Sequence, residues 1–230
     1  MNERGILIVV SGFSGAGKGT LMKRLLEKYE ERYALSVSAT TRQPREGECD
    51  GIEYFFKTKE EFEKMIAKEE LIEYARYVEN YYGTPRAYVE QMLEAGKDVI
   101  LEIEIQGALK VKKAFPDTLL LFVVPPSAEE LKHRLVGRGT ESMEVIESRL
   151  KRAVEESDGM EQYDYLIVND DLEICVEEMH QIICGEHHRS SRNMGFIQQM
   201  KEELKDLKGD RKSTRLNSSH IQKSRMPSSA

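Results

Sequence analysis

Gly12-Phe13-Ser14-Gly15-Ala16-Gly17-Lys18-Gly19-Thr20 follows the apolar run Ile6-Leu7-Ile8-Val9-Val10 and precedes Leu21-Met22-Lys23-Arg24-Leu25-Leu26. In that last segment Leu21 and Leu25, and Met22 and Leu26, recur at helical spacing. A buried strand therefore feeds a glycine-rich turn, and the turn opens a helix, which is the context a phosphate-binding loop requires. Gly12, Gly15 and Gly17 let successive N–H groups point inward at phosphate oxygens. The helix N-terminus adds partial positive charge, and Lys18 adds a full charge that can follow a transferring phosphoryl group. Against the pattern G-x-x-x-x-G-K-[ST], Gly12, Gly17 and Lys18 fit, but Gly19 stands at the hydroxyl position and the hydroxyl arrives one residue later, at Thr20. Thr20 is the candidate for ordering a metal through the phosphates. A dinucleotide fingerprint fails, because position 20 would have to be Gly.

The 230 residues suit one domain with insertions, and 40 % apolar content can fill a core. No apolar run approaches the ~20 residues of a membrane span, and Met1-Asn2-Glu3-Arg4 offers no signal peptide. Cys49, Cys175 and Cys184 form no C-x-x-C pair, so a reducing cytoplasmic setting fits better than a disulfide framework. A net charge of −7 argues against a general nucleic-acid binder and for local basic clusters around an anion. Arg211–Ala230 is rich in Ser, Lys and Arg; residues 210–230 are expected to be disordered and read as a candidate cloning or read-through addition.

Along the chain, Leu35–Ser38, Ile52–Phe56, Leu71–Val78, Asp98–Ile105, Thr118–Val124 and Tyr165–Val168 read as strands. Helices are expected at Lys59–Lys68, capped by Thr58 with Glu61 as a capping box, at Arg86–Glu94 and at 106–114. Asn80–Pro85 reads as a turn. Between Thr40 and Glu48, Pro44 and Gly47 deny regular structure, and Arg42 and Arg45 suit an exposed anion site; a solvated polar loop is the alternative. Glu102 and Glu104 stand at a strand end, where an open parallel sheet binds ligands, unless they pair with Lys or Arg. Ser127 opens a helix bearing Arg134, and a second helix bearing Arg149 and Arg152 follows Gly137-Arg138-Gly139. Such a pair suits a lid that closes positive charge over phosphates; a solvated hairpin of Arg–Glu pairs is the alternative. Asn169 ends the last strand and suits a nucleotide base or a helix cap. Leu172–Leu207 reads as helix interrupted at Gly185 and Gly195, and its His180, Cys184 and His187 share one face but match no common zinc spacing.

The expected fold is α/β: a three-layer parallel sheet with a P-loop, an inserted strand-rich lobe, and a helical lid. The folded domain is placed at residues 1–209, with core 1–34, 96–126 and 159–209, the lobe at 35–95 and the lid at 127–158.

Residues 4–190 resemble guanylate kinase. The resemblance rests on Gly12–Thr20, Ser38–Glu48, Asn80–Thr84, Glu102–Gly107, Gly137–Thr140 and Ile167–Asp170, with Ser38–Glu48 and Asn80–Thr84 the most specific. Phe13 stands where the family often has Pro, and Glu104 where many members have Asp. The resemblance implies transfer of the ATP γ-phosphoryl to GMP with Mg²⁺, within purine nucleotide metabolism and GMP recycling. It implies that Gly12–Thr20 and Asn169 hold ATP; that Ser38, Arg42, Arg45, Tyr54, Tyr82 and Thr84 hold the GMP phosphate or its setting; and that Glu73 and Glu104 read the guanine donors. Lys18, Arg42, Arg134, Arg138 and Arg149 would neutralise the phosphoryl in transit. Partners are then ATP and GMP, with no nucleic acid or membrane, as a monomer or a homo-oligomer. Two other readings are a catalytically silent interaction module, against which Lys18 and the lid arginines speak, and a kinase of another base, against which Glu73 and Glu104 speak.

Overall fold

A computed structural model describes residues 4–77, 79–137 and 143–221, with side chains to Leu207 apart from Tyr77. The chain divides into two compact units, Met1–Ile182 and Ile183–Ala230.

In the first unit, five strands form a wholly parallel sheet: β1 (Leu7–Gly12), β2 (Tyr33–Leu35), β7 (Asp98–Glu102), β8 (Leu119–Val124) and β9 (Tyr165–Val168), in the order β2-β7-β1-β8-β9. The central strand β1 reads continuously apolar from Leu7 to Val10 because both faces are covered. Leu7 and Val9 share one buried cluster with Val99, Leu101, Leu120 and Phe122, beneath α3 (Arg86–Glu94) and α4 (Ile105–Ala114). Ile8 and Val10 point the other way and are fully buried as well. On that side α1 (Lys18–Lys28) packs against β1 and β2 through its buried Leu21, Met22 and Leu25.

A second sheet, β4-β3-β6-β5, lies between β2 and β7 in sequence: β3 (Ser38–Thr40), β4 (Tyr54–Phe56), β5 (Leu71–Tyr77) and β6 (Asn80–Pro85). Only β3 and β4 run parallel. Its own apolar cluster is Ala39, Phe62 and Leu71, with Phe62 supplied by α2 (Lys59–Ala67). The capping box on α2 is present: Glu61 N–H donates to Thr58 Oγ1 at 3.1 Å, and Thr58 N–H donates to Glu61 Oε2 at 2.8 Å.

Three local expectations are corrected. Leu35–Ser38 is not one strand: Leu35 ends β2 in the first sheet and Ser38 starts β3 in the second. Asn80–Pro85 is a strand and not a turn, since Tyr82 and Gly83 pair with β3 on one side and β5 on the other. Gly185 and Gly195 lie inside α7 (Leu172–His187) and α8 (Met194–Ile221), and the break falls between them, at residues 188–193. A single glycine costs a helix only ~1 kcal/mol. The helix α8 also continues to Ile221, past the Arg211 at which irregular chain was expected. No helix among the described residues is long and apolar enough to cross a membrane.

Candidate active site

The phosphate loop leaves the C-terminal end of β1, and its glycines are enforced by contact as well as by torsion. A Cβ on Gly12 would lie 2.2 Å from the Val123 carbonyl oxygen, and one on Gly17 (φ +87°) 2.5 Å from Asn169 Nδ2. Gly19 faces open space. Lys18 Nζ donates to the carbonyls of Gly12 at 2.8 Å and Phe13 at 3.1 Å, so its charge is held over the loop mouth. Asn169 Nδ2 donates to the Ala16 carbonyl at 2.8 Å and is 7 % exposed. That places Asn169 under the loop as a clamp.

The loop floors a cavity of about 680 Å³ whose lining includes Ser14, Lys18, Glu102, Glu104, Arg149 and Arg152. Arg149 comes from α6 (Met143–Ser157), and its Nη1 donates to Ser14 Oγ at 3.0 Å. Helices α5 (Ala128–Gly137) and α6 share an apolar cluster of Leu131, Leu135, Ile146 and Ala153. Leu135 reaches the loop, with Cδ2 2.9 Å from where a Cβ on Gly15 would be. Ser127 Oγ accepts from the Glu130 N–H at 3.0 Å, as the sequence indicates. Arg134 is drawn to Glu130 one turn away at 2.7 Å. Arg138 lies outside the described residues. Thr20 is exposed in the first turn of α1 and is not part of this cavity's lining.

A second cavity, of about 400 Å³, lies between the lobe sheet and α4 and is lined by Ser38, Tyr54, Glu73, Tyr82, Glu104 and Lys110 among others. Glu73 is its most constrained carboxylate. Fully buried Thr84 donates to Glu73 Oε1 at 2.9 Å, and a Cβ on Gly107 would lie 3.4 Å from Glu73 Oε2. Burial pushes the Glu73 carboxyl up, with the Thr84 hydrogen bond and the Lys110 charge opposing. Arg42 lies over the rings of Tyr54 and Phe56 at 5.3 and 5.9 Å. Its fork takes both oxygens of Glu48, at 2.8 and 3.0 Å, and Glu48 also accepts the Arg45 N–H at 2.7 Å. The Arg42 hydrogen bonds and the Arg45 N–H hold the Glu48 carboxyl below its ordinary range. Arg42 is thus an engaged guanidinium, with only 16 % of its side chain exposed, in the segment the sequence read as an exposed anion site. Tyr54 and Tyr82 pack edge to face at 6.1 Å beside it.

The two cavities share Glu102, Ile103, Glu104 and Arg152 as a common wall. Glu156 is a functional candidate that sequence reasoning passed over, and Arg152, noted only as a residue of the second lid helix, is another that it gave no role. Their i, i+4 spacing was visible, but the position of Arg152 on that wall, and of Glu156 in the larger cavity, depends on the packing of α6. His180 instead stacks on Tyr29 at 3.7 Å, with Nδ1 2.7 Å from the Tyr33 hydroxyl. Among the described residues no group of three or more His, Cys, Asp or Glu is placed to hold a metal.

Residues 4–186 match the family model described as guanylate kinase. The chain is 54 % identical over 203 residues to a guanylate kinase of Bacillus cereus, an alignment covering 88 % of this chain and 99 % of that one. It is 52 % identical over 192 residues to that of Bacillus subtilis (84 % and 94 % covered). The crystal structure of guanylate kinase from Anaplasma phagocytophilum is similar at a TM-score of 0.65, with 34 % identity over 83 % of this chain and 90 % of that one. A match across most of the chain, on top of a lysine-bearing phosphate loop and a carboxylate-lined neighbouring cavity, makes this chain an enzyme that belongs to the guanylate kinase family.

Proposed function

We propose that the larger cavity takes the phosphates of ATP and the smaller one takes GMP, and that the γ-phosphoryl passes between them at the wall they share. The observation that carries this reading is that common wall: it lets a donor phosphate over Lys18 and an acceptor mononucleotide beside Glu73 meet without crossing protein. Glu73, fixed by Thr84, faces the acceptor base with hydrogen-bond acceptors, and guanine offers N1–H and a 2-amino group to them. Glu104 stands at the same cavity's edge. Arg42, Arg45, Tyr54, Tyr82 and Ser38 would receive the acceptor phosphate.

In the transfer an oxygen of the GMP phosphate forms a bond to the γ-phosphorus, and the bond to the β–γ bridging oxygen breaks, releasing ADP. A phosphate monoester is mostly doubly ionised at pH 7, with a second pKa of about 6. The acceptor therefore needs no strong base. What the protein contributes is alignment and positive charge. Lys18, now spending its charge on two loop carbonyls, would turn to the phosphates; Arg149 is already beside Ser14, and Arg42, Arg134 and Arg138 complete the cationic set. Mg²⁺ suits the donor set, because hard carboxylate oxygens of Glu102 line the phosphate cavity and Mg²⁺ is habitually held by one or two carboxylates plus substrate phosphates. It would supply charge neutralisation on the donor phosphates. The reaction serves the recycling of GMP within purine nucleotide metabolism.

The test is ADP production from ATP and Mg²⁺ with GMP, AMP, CMP and UMP in parallel. Turnover with GMP alone is expected. Lys18→Ala should cut it by on the order of 10²–10³-fold, the scale of losing one oriented electrostatic group. Equal turnover of AMP would overturn the assignment of Glu73 to guanine.

A further inference from the structure

Arg152 presents its guanidinium in the wall common to both cavities. Its Nη2 is 2.5 Å from Glu104 Oε1, and its Nε is 3.1 Å from Glu156 Oε1. The second contact is local, one turn along α6. The first joins α6 to the start of α4. The Arg152 and Glu104 side chains are 44 % and 69 % exposed, and ion pairs so open to water contribute about 0–1 kcal/mol. Fold stability therefore does not account for the pair.

Glu104 is the residue immediately before α4, in extended conformation, and it makes no capping hydrogen bond. Glu is not among the short side chains that commonly cap a helix in this position, so the orientation of this carboxylate is left to contacts from outside α4. Here it reaches away, to Arg152. Glu73, by contrast, is fixed by Thr84 from within its own sheet.

We propose that Arg152 is a positioning residue for acceptor selection. It holds the Glu104 carboxylate at the edge of the smaller cavity. It thereby ties base reading to the helix that carries Arg149. This rests on the reading of the smaller cavity as the GMP site.

The experiment is steady-state kinetics of Arg152→Gln, Arg152→Lys, Glu104→Gln and the Arg152→Gln/Glu104→Gln double variant, with both KM values measured and folding checked by thermal melting. Arg152→Gln is expected to raise the KM for GMP roughly 3- to 30-fold, inside the range of coupling between residues of one ion-pair network, with the KM for ATP unchanged. On the Glu104→Gln background the same change should add little. Arg152→Lys, which keeps a donor charge on that helix face, should recover most of the GMP affinity. Equal rises in both KM values, or a full effect on the Glu104→Gln background, would overturn the positioning role while leaving GMP as the acceptor. An unmodified protein that does not use GMP would remove the reading of the site, and this proposal with it.

Discussion

Glu73 concentrates the conflict between function and stability in one side chain. Burial raises its pKa above the ordinary carboxylate value. An acid with a raised folded-state pKa holds its proton longer when folded than when unfolded, so folding is penalised as pH rises from the ordinary value through the raised one. Above that window the penalty is fully present. Glu73→Gln removes it while preserving an oxygen to accept from Thr84. The variant is expected to melt no lower than the unmodified protein at pH 7, and higher relative to it at pH 7 than at pH 4, by calorimetry. The same change should raise the KM for GMP far more than that for ATP. Gly17 is a second residue whose substitution has a defined cost. Gly17→Ala must place a Cβ at φ +87° and 2.5 Å from Asn169 Nδ2. Strain of ~1–3 kcal/mol, together with displacement of the Asn169 clamp on Ala16, should lower the melting temperature and weaken ATP binding, read by titration calorimetry. The glycine pattern and Lys18 were legible in the sequence because the motif is local. The role of Asn169 was not: a strand-end amide can face a ligand or the loop beneath it, and only the packing of β9 beside β8 brings it under Ala16.

At the scale of elements, α2 offers a clean separation of stability from activity. Thr58 caps it through a complete capping box, away from both large cavities. Thr58→Ala should cost about 1 kcal/mol in urea unfolding and leave both KM values unchanged. The α5–α6 pair behaves differently, because its apolar cluster carries Leu135 onto the phosphate loop. Leu135→Ala is expected to cost ~2–5 kcal/mol and to raise the KM for ATP as well, since the loop loses a packing partner. The sequence marked α2, α3 and α5 closely because their start and stop signals are local: Thr58, Ser127 and Gly96 (φ +83°). It mistook β6 for a turn because Asn80-Tyr81-Tyr82-Gly83-Thr84-Pro85 carries turn residues and little alternation. Its extended form is imposed by pairing with neighbouring β5 in a hairpin and with β3, whose Ala39 and Thr40 lie far back in the chain, so side-chain pattern alone does not show it.

Across the whole molecule, the parallel order β2-β7-β1-β8-β9 brings the phosphate loop after β1 and the carboxylates after β7 to the same edge of the sheet, side by side. The strand-rich insertion supplies the second cavity as a sheet of its own. Among the described residues the linings of the two cavities run from Ser11 to Glu156, and a chain ending at Gly209 is expected to retain the GMP turnover of the full chain. A tenfold loss would assign residues 210–230 to the working enzyme. The amino-acid sequence by itself determined the strand–loop–helix that binds phosphate, the family, and the residue types that chemistry needs, because each is written in contiguous spacing. Tertiary structure decided which of the charges remote in sequence are engaged, while the pair of Arg134 with Glu130 is local to α5. Arg42 is locked to Glu48, Arg149 reaches Ser14, and Arg152 holds Glu104. Electrostatic partnership depends on distance in space, and the distances between α6, α4 and the loop are set by how their apolar faces pack.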